Sequence, residues 1–183
     1  KALDYNMDSL LEELKSVKLS HKPGTFYDYN NVGSELAAYI LVQINKRSYE
    51  EQLEDFFDKL GMEHTYLQGF KQHQEDIARG YDENNQLAPF DQNLLLGGSA
   101  GIISSLPDLM KLVQFQLESD DPLIKEATKF LFEDDEGNAM GYLWQDLGIA
   151  KKEGFYYSKT GDANGIKSGM LICPDSNYGQ IVI

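Results

Sequence analysis

Four strand-like runs at the end of the chain constrain its fold more than any other feature. They cover residues 141–147, 154–159, 165–173 and 178–183, separated by turn-forming Asp, Asn, Gly and Pro. Strands joined by short turns pair as antiparallel neighbours, and both faces of such a sheet need covering. Only residues upstream of these strands are available to cover the two faces. We therefore expect an α/β (α+β) fold in which a mainly helical region, residues 1–139, and antiparallel strands, residues 140–183, form one incomplete domain.

Apolar residues upstream recur at helical spacing. The pattern predicts helices over residues 9–17, 32–45, 49–60, 107–117 and 123–132. Asp8, Asn31, Ser48 and Ser105 precede four of them as candidate caps, because short polar side chains accept hydrogen bonds from the first helical turn. The second helix has little polar surface, so we expect it to be well buried. Residues 62–97 form a long irregular connection, which is uncommon unless it lines a site.

The chain is strongly acidic, with a formal net charge of −14 over 183 residues and a sequence pI near 4.5. Such a charge disfavours binding to nucleic acid or to an anionic membrane surface. We interpret the acidic residues as a solubilising surface, with a cation site at residues 133–136 as the alternative. The sequence has no run of 18 apolar residues that would predict a transmembrane helix. Its single cysteine, Cys173, excludes an internal disulfide and a cysteine-rich zinc site.

A tyrosine and an asparagine two residues apart, Tyr29 and Asn31, precede the second predicted helix and follow Pro23-Gly24. This arrangement sets a phenol and a carboxamide at a helix N-terminus, whose partial positive charge favours a phenolate. A phenolate beside lysine side chains can act as a general base. The alternative is an ordinary turn and helix cap, with Tyr29 packed in the core.

A second polar stretch, residues 156–162, lies on a predicted strand and presents Lys159, Thr160 and Gly161 in succession. The lysine and threonine could hold a substrate carboxylate, and the glycine lets a ligand approach the backbone. The alternative is an exposed lysine before a turn.

Several such stretches occur in the order and spacing of one known family. Besides residues 23–31 and 156–162, they are Leu60-Gly61-Met62-Glu63-His64-Thr65, Ala78-Arg79-Gly80-Tyr81, residues 98–109, and Gly141-Tyr142-Leu143-Trp144. From about residue 20 to the end, the chain resembles the serine β-lactamase and penicillin-binding protein superfamily, most closely its class C-like members, which include D-Ala-D-Ala carboxypeptidases and esterases. The resemblance implies a β-lactamase/transpeptidase-like fold that is incomplete at its N-terminus.

The resemblance also implies a mechanism, in which a serine attacks an amide, ester or β-lactam carbonyl and water releases the acyl group. The family uses three motifs, Ser-x-x-Lys, Tyr-x-Asn and Lys/His-Thr-Gly. Tyr29 matches the general base and acid, and Asn31 matches the residue that orients the lysine of the first motif and the substrate. Lys159-Thr160-Gly161 matches the third motif, and Asp162 would supply one N–H of the oxyanion hole.

The family resemblance further implies no metal or other cofactor, a small-molecule or peptidoglycan-type substrate, and a location outside the cytoplasm, in the periplasm or cell envelope. The substrate within that range stays open, because related scaffolds carry several activities.

The first family motif has no match in this chain, because no serine is followed by lysine at the third position. In the family this motif lies well upstream of Tyr-x-Asn. We expect a fragment of a complete enzyme, with the missing N-terminal segment as its partner. The alternatives are a natural truncation without activity, and a catalytically inactive binding or structural module. A metalloprotease does not fit, because the sequence contains no His-Glu-x-x-His.

Overall fold

The structure is a computed structural model, and it describes residues 5–67, 74–89, 95–134, 137, 139–163 and 165–183. Five α-helices lie in these ranges: α1 (Met7–Leu14), α2 (Asn31–Asn45), α3 (Tyr49–Leu60), α4 (Leu106–Glu118) and α5 (Pro122–Ala127). None of the helices in the described ranges is long and apolar enough to cross a membrane.

Polar side chains cap the helices, in part at other residues than predicted. Ser48 and Ser105 cap α3 and α4 as expected, and Gly61 ends α3 in the left-handed conformation. Asn6 rather than Asp8 caps α1, because the Asn6 side chain accepts the Ser9 N–H at 3.1 Å. The cap of α2 is likewise Asn30, so that Asn31 is the first helical residue.

Four antiparallel strands form the main sheet in the order β5-β6-β7-β8. Their bounds are β5 (Asp146–Ala150), β6 (Gly154–Ala163), β7 (Ile166–Cys173) and β8 (Tyr178–Val182). Two small antiparallel pairs lie outside it, β1 (Thr65–Tyr66) with β2 (Ile103–Ser104) and β3 (Phe132–Glu133) with β4 (Ala139–Met140).

Several predicted elements have different bounds in the structure. The first helix was expected over residues 9–17 and lies at Met7–Leu14, and the strand expected over residues 154–159 continues to Ala163. The first strand of the main sheet begins at Asp146 instead of residue 141, because the chain turns sharply beforehand: Leu143 has a φ of 53°, and the Trp144 N–H donates to the Tyr142 carbonyl at 2.6 Å. The last helix ends at Ala127 instead of residue 132, because Phe132 enters β3 and pairs with Met140.

The main core lies between α4 and the sheet. Val113 of α4 packs in one buried cluster with Leu147, Tyr157 and Ile172 of three successive strands. The Tyr157 hydroxyl donates to Gln116 Oε1 of α4 at 3.1 Å, and burial raises the pKa of Tyr157 to about 12. A helix from the first part of the chain therefore shares its core with the strands of the last part.

Helix α2 is more exposed than its apolar sequence predicts. Only Glu35 and Ala38 are buried, whereas Ile40, Leu41 and Ile44 are exposed, Ile44 to 69%. The expectation of a well-buried helix was therefore wrong. Apolar composition shows what a helix can bury, while the partners that would cover it are set by tertiary structure.

Candidate active site

Tyr29 and Lys159 lie together although 130 residues separate them in sequence. Tyr29 precedes α2, and Lys159 lies on β6. The Lys159 ammonium donates to the Tyr29 hydroxyl with a distance of 3.3 Å between Nζ and Oη. It also lies 4.6 Å from the centroid of the tyrosine ring, within cation–π range. The two stretches singled out from the sequence thus meet at one point of the structure.

Strand β6 projects beyond β5 at this point. Pairing with β5 ends at Asp146 opposite Ser158, whereas β6 continues to Ala163 along β7. The Thr160 N–H points to the edge that β5 leaves uncovered and donates to Gln145 Oε1 at 2.8 Å. Because N–H groups alternate between the two edges of a strand, the N–H of Asp162 faces the same edge. The end of β6 therefore presents a lysine, a hydroxyl and a backbone donor.

Asn31 lies at the first position of α2, two residues after Tyr29, and it is exposed. Among the described residues no side chain hydrogen-bonds to its carboxamide, so the carboxamide is available to bind a ligand. The neighbouring Asn30 is occupied instead, because its side chain accepts the Gly33 N–H at 2.9 Å. The sequence pattern Tyr-x-Asn thus combines an exposed first and third residue with a middle residue that caps the helix.

Comparison with known proteins assigns the chain to a family. The Beta-lactamase family profile matches residues 1–183, the whole chain. The chain belongs to the beta-lactamase family. The expected membership of the serine β-lactamase and penicillin-binding protein superfamily is thereby confirmed.

Two curated relatives of this beta-lactamase family chain are 27% identical to it. Protein flp of Staphylococcus aureus (strain MW2) matches over 176 residues, which are 91% of this chain and 34% of that protein. The D-alanyl-D-alanine-carboxypeptidase/endopeptidase AmpH of Escherichia coli (strain K12) matches over 189 residues, 93% of this chain and 48% of AmpH. The chain therefore spans between one third and one half of the length of these relatives.

Solved structures confirm the expected fold. A class C beta lactamase from Rhodobacter sphaeroides superposes with a TM-score of 0.82 at 18% identity, covering 99% of this chain and 61% of that one. A D-alanine carboxypeptidase AmpC from Burkholderia cenocepacia gives a TM-score of 0.84 at 17% identity, covering 95% and 60%. The beta-lactamase family chain therefore has the class C β-lactamase fold, a mixed arrangement of helices and antiparallel sheet.

A buried carboxylate that our reading of the sequence missed ties α2 to the glycine-rich segment before β2. Glu35, 2% exposed, accepts hydrogen bonds from the Leu96 N–H at 3.0 Å, the Ser99 N–H at 3.1 Å and the Ser99 hydroxyl at 2.8 Å. A signal for it was present, since Glu35 is the one charged residue in α2. The helix that begins beside Tyr29 is thereby fixed to a segment more than sixty residues away.

Gly98, in the same segment, packs directly on the backbone of α2. A Cβ at this position would overlap the Ser34 carbonyl oxygen and lie 2.8 Å from the Ala38 Cβ. We therefore expect Gly98→Ala to lower the free energy of unfolding by about 1–3 kcal/mol, measured by urea denaturation. Gly33→Ala is the matched control, because the nearest atom to its Cβ would be 3.7 Å away. Equal stabilities of the two variants would contradict this packing.

A second buried carboxylate, Asp108 of α4, holds the segment that follows α3. Its Oδ2 accepts the His64 N–H at 2.6 Å and the Thr65 hydroxyl at 3.0 Å, and its Oδ1 accepts Lys111 Nζ at 2.9 Å. Burial by itself would raise the pKa of Asp108. The hydrogen bonds from Lys111, His64 and Thr65, together with the lysine charge, outweigh burial and hold that pKa below its usual value.

The predicted acidic cluster at residues 133–136 is described only in part, because Asp135 and Glu136 lie outside the described residues. Within the described ranges, no group of three or more His, Cys, Asp or Glu side chains is arranged to hold a metal ion.

Gln145, which accepts two hydrogen bonds from Thr160, was not predicted as a site residue, since nothing in its sequence context distinguishes it from a surface glutamine.

Proposed function

We propose that this chain contributes the base and the substrate-binding strand of a serine hydrolase that acts through an acyl-enzyme. Its substrate is an amide, an ester or a β-lactam, of the small-molecule or peptidoglycan type. The observation that carries the proposal is the 3.3 Å contact between Tyr29 Oη and Lys159 Nζ, which joins two family motifs across 130 residues. Membership of the beta-lactamase family supports the same reaction type.

In the proposed mechanism, Tyr29 takes the proton of the attacking serine hydroxyl and later returns it to the leaving group. Lys159 lies where it can stabilise the negative charge that develops on the phenol oxygen during this transfer. The N–H of Asp162 on the open edge of β6 is one donor for the tetrahedral oxyanion, and the exposed carboxamide of Asn31 orients the substrate. Thr160 and Gly161 line the strand along which the substrate lies.

The proposed nucleophile is a serine of a Ser-x-x-Lys motif, which these 183 residues do not contain. It would be supplied by polypeptide upstream of Lys1, as in the family pattern. We propose in addition that residues 1–139 and 140–183 act as one incomplete domain, which the core shared by Val113 and Tyr157 supports. The family resemblance further supports a location in the periplasm or cell envelope.

The experiment compares this chain with the product of the gene read upstream of Lys1. We expect the isolated chain to hydrolyse neither nitrocefin nor p-nitrophenyl butyrate and to take up no fluorescent penicillin, since it lacks an acylable serine. The longer product should contain Ser-x-x-Lys and react with at least one of the three. Labelling of the isolated chain, or an inert longer product that contains Ser-x-x-Lys, would contradict the proposal.

A catalytically inactive binding or structural module is the second candidate, and the missing Ser-x-x-Lys motif favours it. The same experiment separates the two. A longer gene product without Ser-x-x-Lys that is inert towards all three reagents is expected for the module and is incompatible with the hydrolase.

A further inference from the structure

Gln145 holds both polar hydrogens of Thr160. The carbonyl oxygen of its side chain, Oε1, accepts the Thr160 backbone N–H at 2.8 Å and the Thr160 hydroxyl at 2.9 Å. An N–H can only donate, so the atom that receives it must be the amide oxygen and not the amide nitrogen. That oxygen can only accept, so the hydroxyl must donate its single hydrogen to it. Both hydrogen assignments follow from the geometry.

A tight turn in the backbone before β5 places Gln145 beside Thr160. Leu143 adopts a φ of 53°, in the left-handed region that side chains other than glycine rarely occupy, and the Trp144 N–H closes a tight turn onto the Tyr142 carbonyl. The Gln145 N–H then donates to the Ser158 carbonyl at 3.1 Å, which anchors Gln145 against β6. A strained conformation kept next to a candidate site is an indication of function.

The consequence concerns what Thr160 can bind. With its hydrogen engaged by Gln145, the hydroxyl presents only lone pairs to a ligand on the open edge of β6. A carboxylate has only acceptor oxygens, so it must displace Gln145 to gain this hydrogen bond, whereas a carboxamide can donate to the hydroxyl as it stands. Lys159, the neighbouring cation, is already directed at Tyr29.

We propose that Gln145 determines substrate specificity through Thr160, making the site favour acyl substrates that carry a neutral amide next to Thr160 over those that carry a free carboxylate. The inference rests on the proposed function in taking the end of β6 as the substrate-binding strand. Gln145 is a positioning residue, since it acts on the substrate through the threonine hydroxyl.

The test is a titration of the 183-residue chain with N-acetyl-D-alanine and N-acetyl-D-alaninamide, which differ in having a carboxylate or a carboxamide. Binding is followed through the Thr160 amide signal in ¹H–¹⁵N NMR spectra. In the unchanged chain the amide should bind at least as tightly as the acid. Gln145→Met removes the acceptor at similar side-chain length, and should shift the ratio of the two dissociation constants towards the acid by roughly tenfold, the effect of one hydrogen bond to a charged group.

Two further variants separate this role from a general structural one. Gln145→Glu keeps an acceptor oxygen at the same reach, so it should leave the acid disfavoured. In a Thr160→Val background, Gln145→Met should no longer change the ratio, because the hydroxyl is gone. An unchanged ratio in Gln145→Met, a shift that persists without the hydroxyl, or no saturable binding of either ligand would overturn the inference.

The titration involves no turnover and is therefore independent of the hydrolase test. A longer gene product that is inert, combined with the expected shift in the binding ratio, would refute the proposed function and leave the role of Gln145 intact. A longer gene product that reacts, combined with an unchanged ratio of the two dissociation constants, would support the proposed function and refute the role of Gln145.

Discussion

Replacing Tyr29 by phenylalanine is expected to slow acylation of the complete hydrolase by about a hundredfold to ten-thousandfold, the usual contribution of a positioned general base. The substitution removes one oxygen atom and leaves the ring under Lys159 in place. The measurement is the single-turnover rate of acylation by nitrocefin in the longer gene product. Because the ring is retained, a slower reaction would report the lost proton acceptor and not a displaced helix.

Tyr27→Phe is the matched control, since Tyr27 is a half-buried phenol two residues upstream. Burial, with a smaller contribution from the neighbouring Tyr29, raises the pKa of Tyr27, which makes it a poor proton acceptor near neutral pH. Its variant should keep the acylation rate close to that of the parent. Lys159→Ala should slow acylation as well, and the double variant with Tyr29→Phe should lose less than the product of the two effects, because the residues act as a unit. Equal rates for Tyr29→Phe and Tyr27→Phe would refute the proposed role.

The largest expected effect on stability is that of Asp108→Ala. Asp108 is 1% exposed, and its removal leaves the His64 N–H and the Thr65 hydroxyl without their acceptor. Unsatisfied buried donors are costly, so we expect the free energy of unfolding to fall by about 3 kcal/mol, measured by urea denaturation. Glu12→Ala is the control, because Glu12 also pairs with a lysine three residues later, but with side chains that are 71% and 70% exposed. That variant should be nearly as stable as the parent, since exposed ion pairs contribute little.

Asp108 also predicts a pH dependence. Its pKa is lowered in the folded state, so its contribution to stability is fully present above the unfolded-state pKa, about 3.9 for an aspartate. As the pH falls through that value and then through the lower folded-state pKa, the unfolded chain takes up the proton first and the contribution is lost. The stability difference between the parent and Asp108→Asn should therefore shrink below about pH 4. A difference that does not change with pH would show that the charge of Asp108 contributes nothing.

The helix ends and strands that depend on residues close in sequence could be predicted from the sequence. The Ser48 and Ser105 caps and the Gly61 helix end depend on residues within one turn, so their positions could be predicted from the sequence. The strands that became β6 and β7 were predicted for the same reason, from turn residues close in sequence. Tyr29 and Lys159 were each ambiguous alone, and only the order of several family motifs linked them.

The remaining features depend on contacts between distant residues. Glu35 and Asp108 are charged residues on helices, which ordinarily indicate a solvated face, and their burial follows from partners 43 to 64 positions away. The exposure of Ile44 on α2 could not be predicted for the same reason, because an apolar pattern does not specify a partner. The position of Gln145 depends on the left-handed conformation of Leu143, which the type of residue does not favour.

The separation of 130 positions between Tyr29 and Lys159 also has a kinetic consequence. A contact of this sequence separation closes a very long loop, and such contacts form slowly because the loss of chain entropy precedes the gain from packing. Helices and hairpins can form earlier, because they depend on local interactions. A ligand that recognises both side chains would therefore bind only molecules in which these two distant parts of the chain have met, and its binding rate after dilution from denaturant would report that step.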